Sequence, residues 1–317
     1  MIKTTIVGIA ALLLFIACSK KKDADSSAPA AITGTIPLES VSGFSGEKAY
    51  AHVEALTAFG PRPPESEAYE KSLAYLENYL TALGWKTKRQ SFKGITPIGP
   101  IAFTNLLARY SPDAEPDWTV SPPYLIGSHL DTKRFPDFQF VGANDSGSST
   151  GVLAELARVL STQGEPAKNI ELVFFDGEEA FLENIRGRDG LYGSKYYASQ
   201  LNNRSVKPRL GMVLDIVGDP KLPLLIGGDS EKNLVAHTQA AAKTLGIQNW
   251  VKAHSDSIID DHIPLMSKAN LPVLHLIGSF MDATYWHKAD DTLDKITPGA
   301  LENTGKLTLQ VMHQLTK

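Results

Sequence analysis

The run Ile170-Glu171-Leu172-Val173-Phe174-Phe175 is almost unbroken in its apolar character. A strand of that kind is buried on both faces, and such strands belong to parallel sheets covered by helices. The surrounding chain repeats the theme. Residues 124–128, 210–217 and 272–277 are further apolar runs. Residues 147–160 lie between two of them and place Val152, Leu153, Leu156, Val159 and Leu160 at helical spacing. Further helical patterns fall at 46–60, 65–83, 191–201, 231–245, 262–269 and 298–315, and shorter strand patterns at 85–92, 103–110 and 224–226. Strand and helix in alternation predict one α/β domain with a mostly parallel sheet.

The buried run ends in Asp176-Gly177-Glu178-Glu179. Open α/β sheets place their sites at such strand ends. Neighbouring side chains on an extended segment point to opposite sides, so one glutamate can hold a metal while the other faces a substrate. A lone pair of glutamates also reads as a solvated acidic turn. Other residues tip the balance: His129, Asp145, Asp215 and His287 fall at the ends of predicted elements as well. Asp215 is a charge inside an apolar strand, and such a residue is rarely buried without a partner.

The N-terminus reads separately. Lys3 precedes an apolar stretch over residues 6–17, too short to span a bilayer comfortably. Leu14-Phe15-Ile16-Ala17-Cys18 follows, and Cys18 is the only cysteine. The pattern resembles a bacterial lipoprotein signal, which implies residues 1–17 as signal peptide, lipidation at Cys18 and anchoring of an exported protein to a membrane. Ser19 favours the outer membrane. Residues 18–43 are expected to be a flexible tether, since Lys, Asp, Ser, Ala and Pro dominate them. The folded domain is expected over 44–317. A formal net charge of −4 gives no footprint for nucleic acid, and nothing in the composition calls for more than a monomer.

His129-x-Asp131, Asp145 in Gly142-Ala143-Asn144-Asp145-Ser146-Gly147, Glu178-Glu179, Asp215 and His287 resemble, in order and approximate spacing, the zinc exopeptidases of the M28 type. The resemblance spans roughly residues 46–315. It implies a three-layer α/β sandwich around a mixed, largely parallel sheet, with zinc as the metal. Within that superfamily, Asp260-Asp261-His262-Ile263-Pro264-Leu265, the run Pro272 to Ile277, and Trp286-His287 before Asp290-Asp291 look like the glutaminyl-peptide cyclotransferases. Those enzymes convert an N-terminal glutamine to pyroglutamate with one zinc.

The resemblance implies Asp145, Glu179 and His287 as zinc ligands and Glu178 as general base and acid. It implies Asp215 and Asp260 as hydrogen-bonding carboxylates that bond one another or the substrate. Trp286, His275 and Phe280 would stand against the substrate, a peptide with N-terminal Gln. His129 and Asp131 match positions serving a second zinc in the peptidases, so the ligand types alone permit two metals. An M28-type aminopeptidase is the alternative. Asn184 stands where the cyclotransferases often carry a tryptophan, and the 278–285 segment departs from the animal enzymes.

Overall fold

The computed structural model describes residue 1 and residues 29–317; the signal-like segment and Cys18 lie outside the described residues. Eight strands form one mixed sheet in the order β1-β2-β4-β3-β5-β8-β6-β7. The central strands are β4 (Ile170–Phe175), β3 (Tyr124–His129), β5 (Leu210–Asp215) and β8 (Val273–Gly278), paired in parallel. Every residue of these four strands is buried. β1 (Trp85–Thr96) and β2 (Gly99–Tyr110) make a long antiparallel hairpin on one side. β6 (Leu224–Ile226) runs antiparallel to β8, and β7 (Val251–Ala253) pairs in parallel with β6.

Alternate residues of each central strand feed opposite layers, as the two-residue period requires. Leu172, Phe174, Met212 and Leu214 join one core, with α2 (Gly46–Ala58), α3 (Glu67–Ala82), α4 (Ser149–Ser161), α6 (Lys232–Thr244) and α8 (Pro298–Leu315). Val173, Phe175, Val213 and Val273 join the other, with α5 (Tyr192–Leu201) and α7 (His262–Ala269). Helices also begin where the chemistry allows: Ser45, Ser66 and Thr297 each accept a backbone N–H from the first turn they cap. Among the described residues no helix is long and apolar enough to cross a membrane.

The ordered body extends further toward the N-terminus than expected. Residues 29–43, assigned above to the tether, pack onto the domain. The Ile36 side chain has no solvent exposure, and Val41 in the short helix α1 (Glu39–Gly43) is buried. Thr316 Oγ1 accepts from the Ile36 N–H at 2.9 Å, and Thr33 donates its N–H to Asn169 Oδ1 at 2.7 Å. Average composition over 18–43 concealed this, because the polar first half of that stretch outweighs Ile36 and Val41, which anchor the second half. Two other boundaries moved. The hairpin strands continue to Thr96 and start again at Gly99, and the three-residue edge strand β7 had no legible pattern of its own.

Ile36→Ala should therefore destabilise the protein by about 2–5 kcal/mol, the usual loss for a buried large-to-small change. Urea unfolding measures it. An unchanged midpoint would mean that residues 29–43 lie on the domain without supporting it.

Candidate active site

The ends of β3, β4 and β5 meet at one edge of the sheet and carry His129, the Glu178-Glu179 pair and Asp215. Gly177 makes the turn out of β4. Its φ of 68° lies in the left-handed region, and a Cβ there would stand 2.4 Å from the Phe103 ring. Beyond the turn, the Asp131 carboxylate accepts the N–H of Glu178 at 3.1 Å and of Glu179 at 3.3 Å. Asp131 is wholly buried, so the backbone of the pair is held from beneath.

Asp145 comes from the buried segment Ala143–Ser148 leading into α4, and the Asp145–Ser146 peptide is cis. Two charged residues clamp this segment. Asp291 accepts the Asn144 N–H at 2.8 Å and the Asp145 N–H at 3.1 Å. Arg62, with no solvent exposure, donates to the carbonyls of Leu130, Val141 and Gly142 at 3.1, 2.8 and 3.3 Å. The guanidinium fork thus ties the end of β3 to the Asp145 loop. In the sequence Arg62 stands among prolines between two helical patterns and carries no periodic signal.

Six side chains converge. His287 Nε2 lies 3.1 Å from Glu179 Oε1 and 3.4 Å from Asp145 Oδ2. His129 Nε2 lies 3.2 Å from Asp145 Oδ1 and 3.1 Å from Asp215 Oδ1. Two groups of potential metal ligands follow, Asp145–Glu179–His287 and His129–Asp145–Asp215, and both use Asp145. Glu178 belongs to neither group, although it is buried beside them.

Charge accounts for the protonation pattern. Burial works against a charged His287, but Glu179 and Asp145 outweigh it and push its pKa up to about 10. Burial likewise opposes a charged His129, yet Asp215, Asp131 and Asp145 hold its pKa well above the ordinary value. Burial raises Asp145, and hydrogen bonds from the two histidines more than reverse that and keep it ionised. Asp215 is pushed up to about 7, chiefly by burial. Burial also lifts the Glu178 carboxyl well above the usual range; His129 opposes the shift, while Glu179 and Asp260 add to it. The cluster gathers carboxylate and imidazole donors within reach of one another, and such donors suit a divalent cation.

A cavity of about 370 Å³ opens onto this cluster. Glu178, Glu179, Asp145, Asp215 and His287 lie along one side. Trp286, Phe280, Ile258, Ile277 and Ile216 make an apolar wall, with Asn184 also at the lining. Trp286 stacks on His287 with centroids 4.1 Å apart and packs against Phe280 at 4.7 Å. Ile216, directly after Asp215, holds a φ of 50°, a strained value for a β-branched residue. Lys133 donates to the carbonyls of Ala180 and Leu182 and lies 3.6 Å from Glu179 Oε2, a role the sequence did not mark.

One residue sits differently from expectation, and two carboxylates take partners that the sequence did not mark. His275, expected against the substrate, has no solvent exposure and points into the protein behind Asp260, whose Oδ2 lies 2.6 Å from His275 Nε2. His275 stands two residues before Ile277 on β8, nearer the middle of the strand, and of the two only Ile277 lines the cavity. Asp215 and Asp260, expected to bond one another or the substrate, each take a histidine partner, His129 and His275.

Fold and site together define an exopeptidase-like α/β protein with candidate metal ligands at its sheet edge. The model of peptidase family M28 matches residues 105–312, and the chain belongs to that family. It is 30% identical over 276 residues to a bovine (Bos taurus) glutaminyl-peptide cyclotransferase-like protein, covering 78% of this chain and 70% of that one. The structure of an Acidobacteriales bacterium glutaminyl cyclase superposes with a TM-score of 0.73 at 28% identity, over 92% of this chain and 97% of that one. A Bacteroides thetaiotaomicron protein described as a leucine aminopeptidase precursor superposes with a TM-score of 0.76 at 25% identity, over 88% and 99% of the two chains.

The geometry separates the adjacent glutamates. Glu178→Gln should leave bound divalent metal unchanged, whereas Glu179→Gln should weaken it at least tenfold, as measured by competition with a chelator. Metal loss in the first variant and retention in the second would reverse the two assignments.

Proposed function

We propose that the chain is a zinc-dependent glutaminyl-peptide cyclotransferase, converting N-terminal glutamine to pyroglutamate with release of ammonia. The observation that carries this reading is the relationship to cyclotransferases along most of the chain, bovine and bacterial alike. The site agrees with it in one respect above all. Glu178 lines the cavity, stands apart from both ligand groups and has a raised pKa.

Asp145, Glu179 and His287 would hold one zinc ion, which as a Lewis acid polarises the side-chain amide carbonyl. The remaining work falls to the protein. The substrate's α-amine nitrogen bonds to its own amide carbon, and the bond from that carbon to the amide nitrogen breaks. The nucleophile is tethered, so proximity is largely built in. Glu178 accepts the proton that the amine sheds and returns it to the leaving nitrogen, which departs as ammonia. A carboxyl shifted toward neutrality by burial suits both transfers. Trp286 and Phe280 hold the glutamine side chain and keep water from competing. Asp215, paired with His129, supplies a hydrogen-bonding carboxyl beside the reacting centre. Asp260 acts one layer back, fixed by His275.

One observation favours a second reading. The His129–Asp145–Asp215 group shares a carboxylate with the first, an arrangement suited to two metals. An aminopeptidase of that type would use Glu178 to activate water. The fold relative described as a leucine aminopeptidase precursor is compatible with it.

The same proposal places the enzyme outside the cytoplasm as a monomer lipidated at Cys18. The lipoprotein-like pattern ending at Cys18 supports the anchor, and the point where the chain joins the domain is compatible with it. Pro29 bridges to Lys207, near the starts of β5 and β8, while the cavity lies at the far ends of those strands. A tether there leaves the cavity mouth facing away from the anchor.

Gln-β-naphthylamide and Leu-β-naphthylamide separate the two readings. Ammonia release from the first, without amine release from the second, supports cyclisation. Free naphthylamine from the leucine compound, without ammonia from the glutamine compound, would establish the peptidase.

A further inference from the structure

A second cavity, of about 510 Å³, lies beside the first. Glu183 and Asn184 line both. Both of these side chains are exposed, so they form an open rim between the cavities and not a buried partition. Beyond the rim, Arg186 and Arg188 line the second cavity only. Ile95, near the end of β1, and Leu182 add large apolar side chains there, and both are exposed.

The arginines are placed by the loop that carries them. The Asp189 carboxylate accepts the N–H groups of Phe181 and Leu182 at 3.0 and 2.9 Å and the Tyr192 hydroxyl at 3.0 Å. Arg186 and Asp189 exchange backbone hydrogen bonds at 3.2 and 3.0 Å, and Gly187 takes a φ of 61° between them. The loop is therefore tied at its root by Asp189 and turns at Gly187, where a left-handed φ costs a glycine little. The two arginines flank that turn. Asp189 is buried and already accepts three hydrogen bonds, so its charge is engaged within the loop. Among the described residues neither arginine side chain has an ion-pair or hydrogen-bond partner, and both are exposed.

Cations left unpaired beside a concave surface attract anionic groups, and such complementarity governs the choice of partner more than raw affinity. Arginine favours carboxylates, which its planar fork meets with two hydrogen bonds. The surroundings sharpen the contrast. The chain carries a net charge of −4, and carboxylates line the first cavity. A substrate held by its N-terminal residue in the first cavity has only its following residues to offer the second. Glu183 at the rim disfavours a carboxylate directly after the first residue. An extended chain advances about 3.3–3.6 Å per residue, so a few residues carry it past the rim to the arginines.

We propose that the second cavity is the subsite for the peptide chain beyond its N-terminal residue, and that Arg186 and Arg188 make it selective for acidic side chains there. The inference rests on the reading of this chain as an enzyme acting at peptide N-termini. It names the substrate class: peptides with acidic residues two or more places after the first. Because the loop is held by Asp189 before any substrate arrives, little ordering is needed on binding.

Three hexapeptide amides test the proposal: Gln-Ala-Glu-Glu-Glu-Ala, Gln-Ala-Ser-Ser-Ser-Ala and Gln-Ala-Lys-Lys-Lys-Ala. With the full chain, kcat/KM for ammonia release should be highest for the glutamate peptide and lowest for the lysine peptide. The ratio of those two should be about tenfold at low salt, as two exposed charge pairs allow, and should lie in KM. It should shrink as salt is raised from about 0.01 M to 1 M, because exposed charges are screened. Arg186→Gln with Arg188→Gln should bring the ratio near one, and Arg186→Glu with Arg188→Glu should invert it. Each ratio is taken within one preparation, so a fraction of unfolded variant cancels. Calorimetric affinities of the same peptides for the Glu178→Gln variant read the preference without turnover. A ratio near one in the unsubstituted protein, or a ratio that persists in both double variants, would overturn the proposal. Release of the free first residue in place of ammonia would overturn cyclisation alone, and the same ratio is then read from that hydrolysis.

Discussion

Four carboxylates held together out of water repel one another, and the structure around the sheet edge is organised to keep them there. Asp145, Glu178, Glu179 and Asp215 are all buried and mutually close. Each ionised carboxylate removed from water requires compensation, or it takes up a proton instead. The protein supplies compensation unevenly. His287 and His129 stand against Asp145, Glu179 and Asp215, which leaves Glu178 as the member pushed furthest toward its neutral form by burial. The division of labour between adjacent glutamates is thus an electrostatic outcome: one pairs with a histidine, and the other holds or releases a proton.

The supports for this arrangement lie beneath it. Asp131 receives the backbone N–H groups of both glutamates, and Asp291 those of Asn144 and Asp145. Arg62 ties the Asp145 loop to the strand that carries His129. Tyr285 extends the set, accepting from Asn144 Nδ2 and donating to Asp219 Oδ2. Buried polar networks of this kind are costly when partly satisfied and rigid when complete. The backbones that carry Asp145, Glu178 and Glu179 are thus fixed by buried side chains.

How far the sequence was legible depended on the scale of each signal. The central strands were readable as unbroken apolar runs, and the helices between them because a 3.6-residue period accumulates over ten residues or more. Asp215 and the glutamate pair were readable because a charge stands out against Leu210–Leu214 or Phe174-Phe175. Arg62 was not, since a single arginine between prolines carries no period and finds its carbonyl partners at least 68 positions away. Ile36 was hidden because it follows a polar run and sits in no periodic apolar pattern. His275 was visible in the apolar run of β8, but only the sheet register and the position of α7 direct it toward Asp260 and Asp229 instead of the cavity. Contacts made across the fold by isolated residues leave no local trace.

The central claim is that the nucleophile is the substrate's own amine and that Glu178 moves its proton. Turnover of a Gln-initiated peptide in oxygen-18 water, followed by mass spectrometry of the products, tests it directly. The account predicts a product lighter by one ammonia and free of the heavy isotope. Release of free glutamine with oxygen-18 in its carboxylate would contradict it and make water the nucleophile.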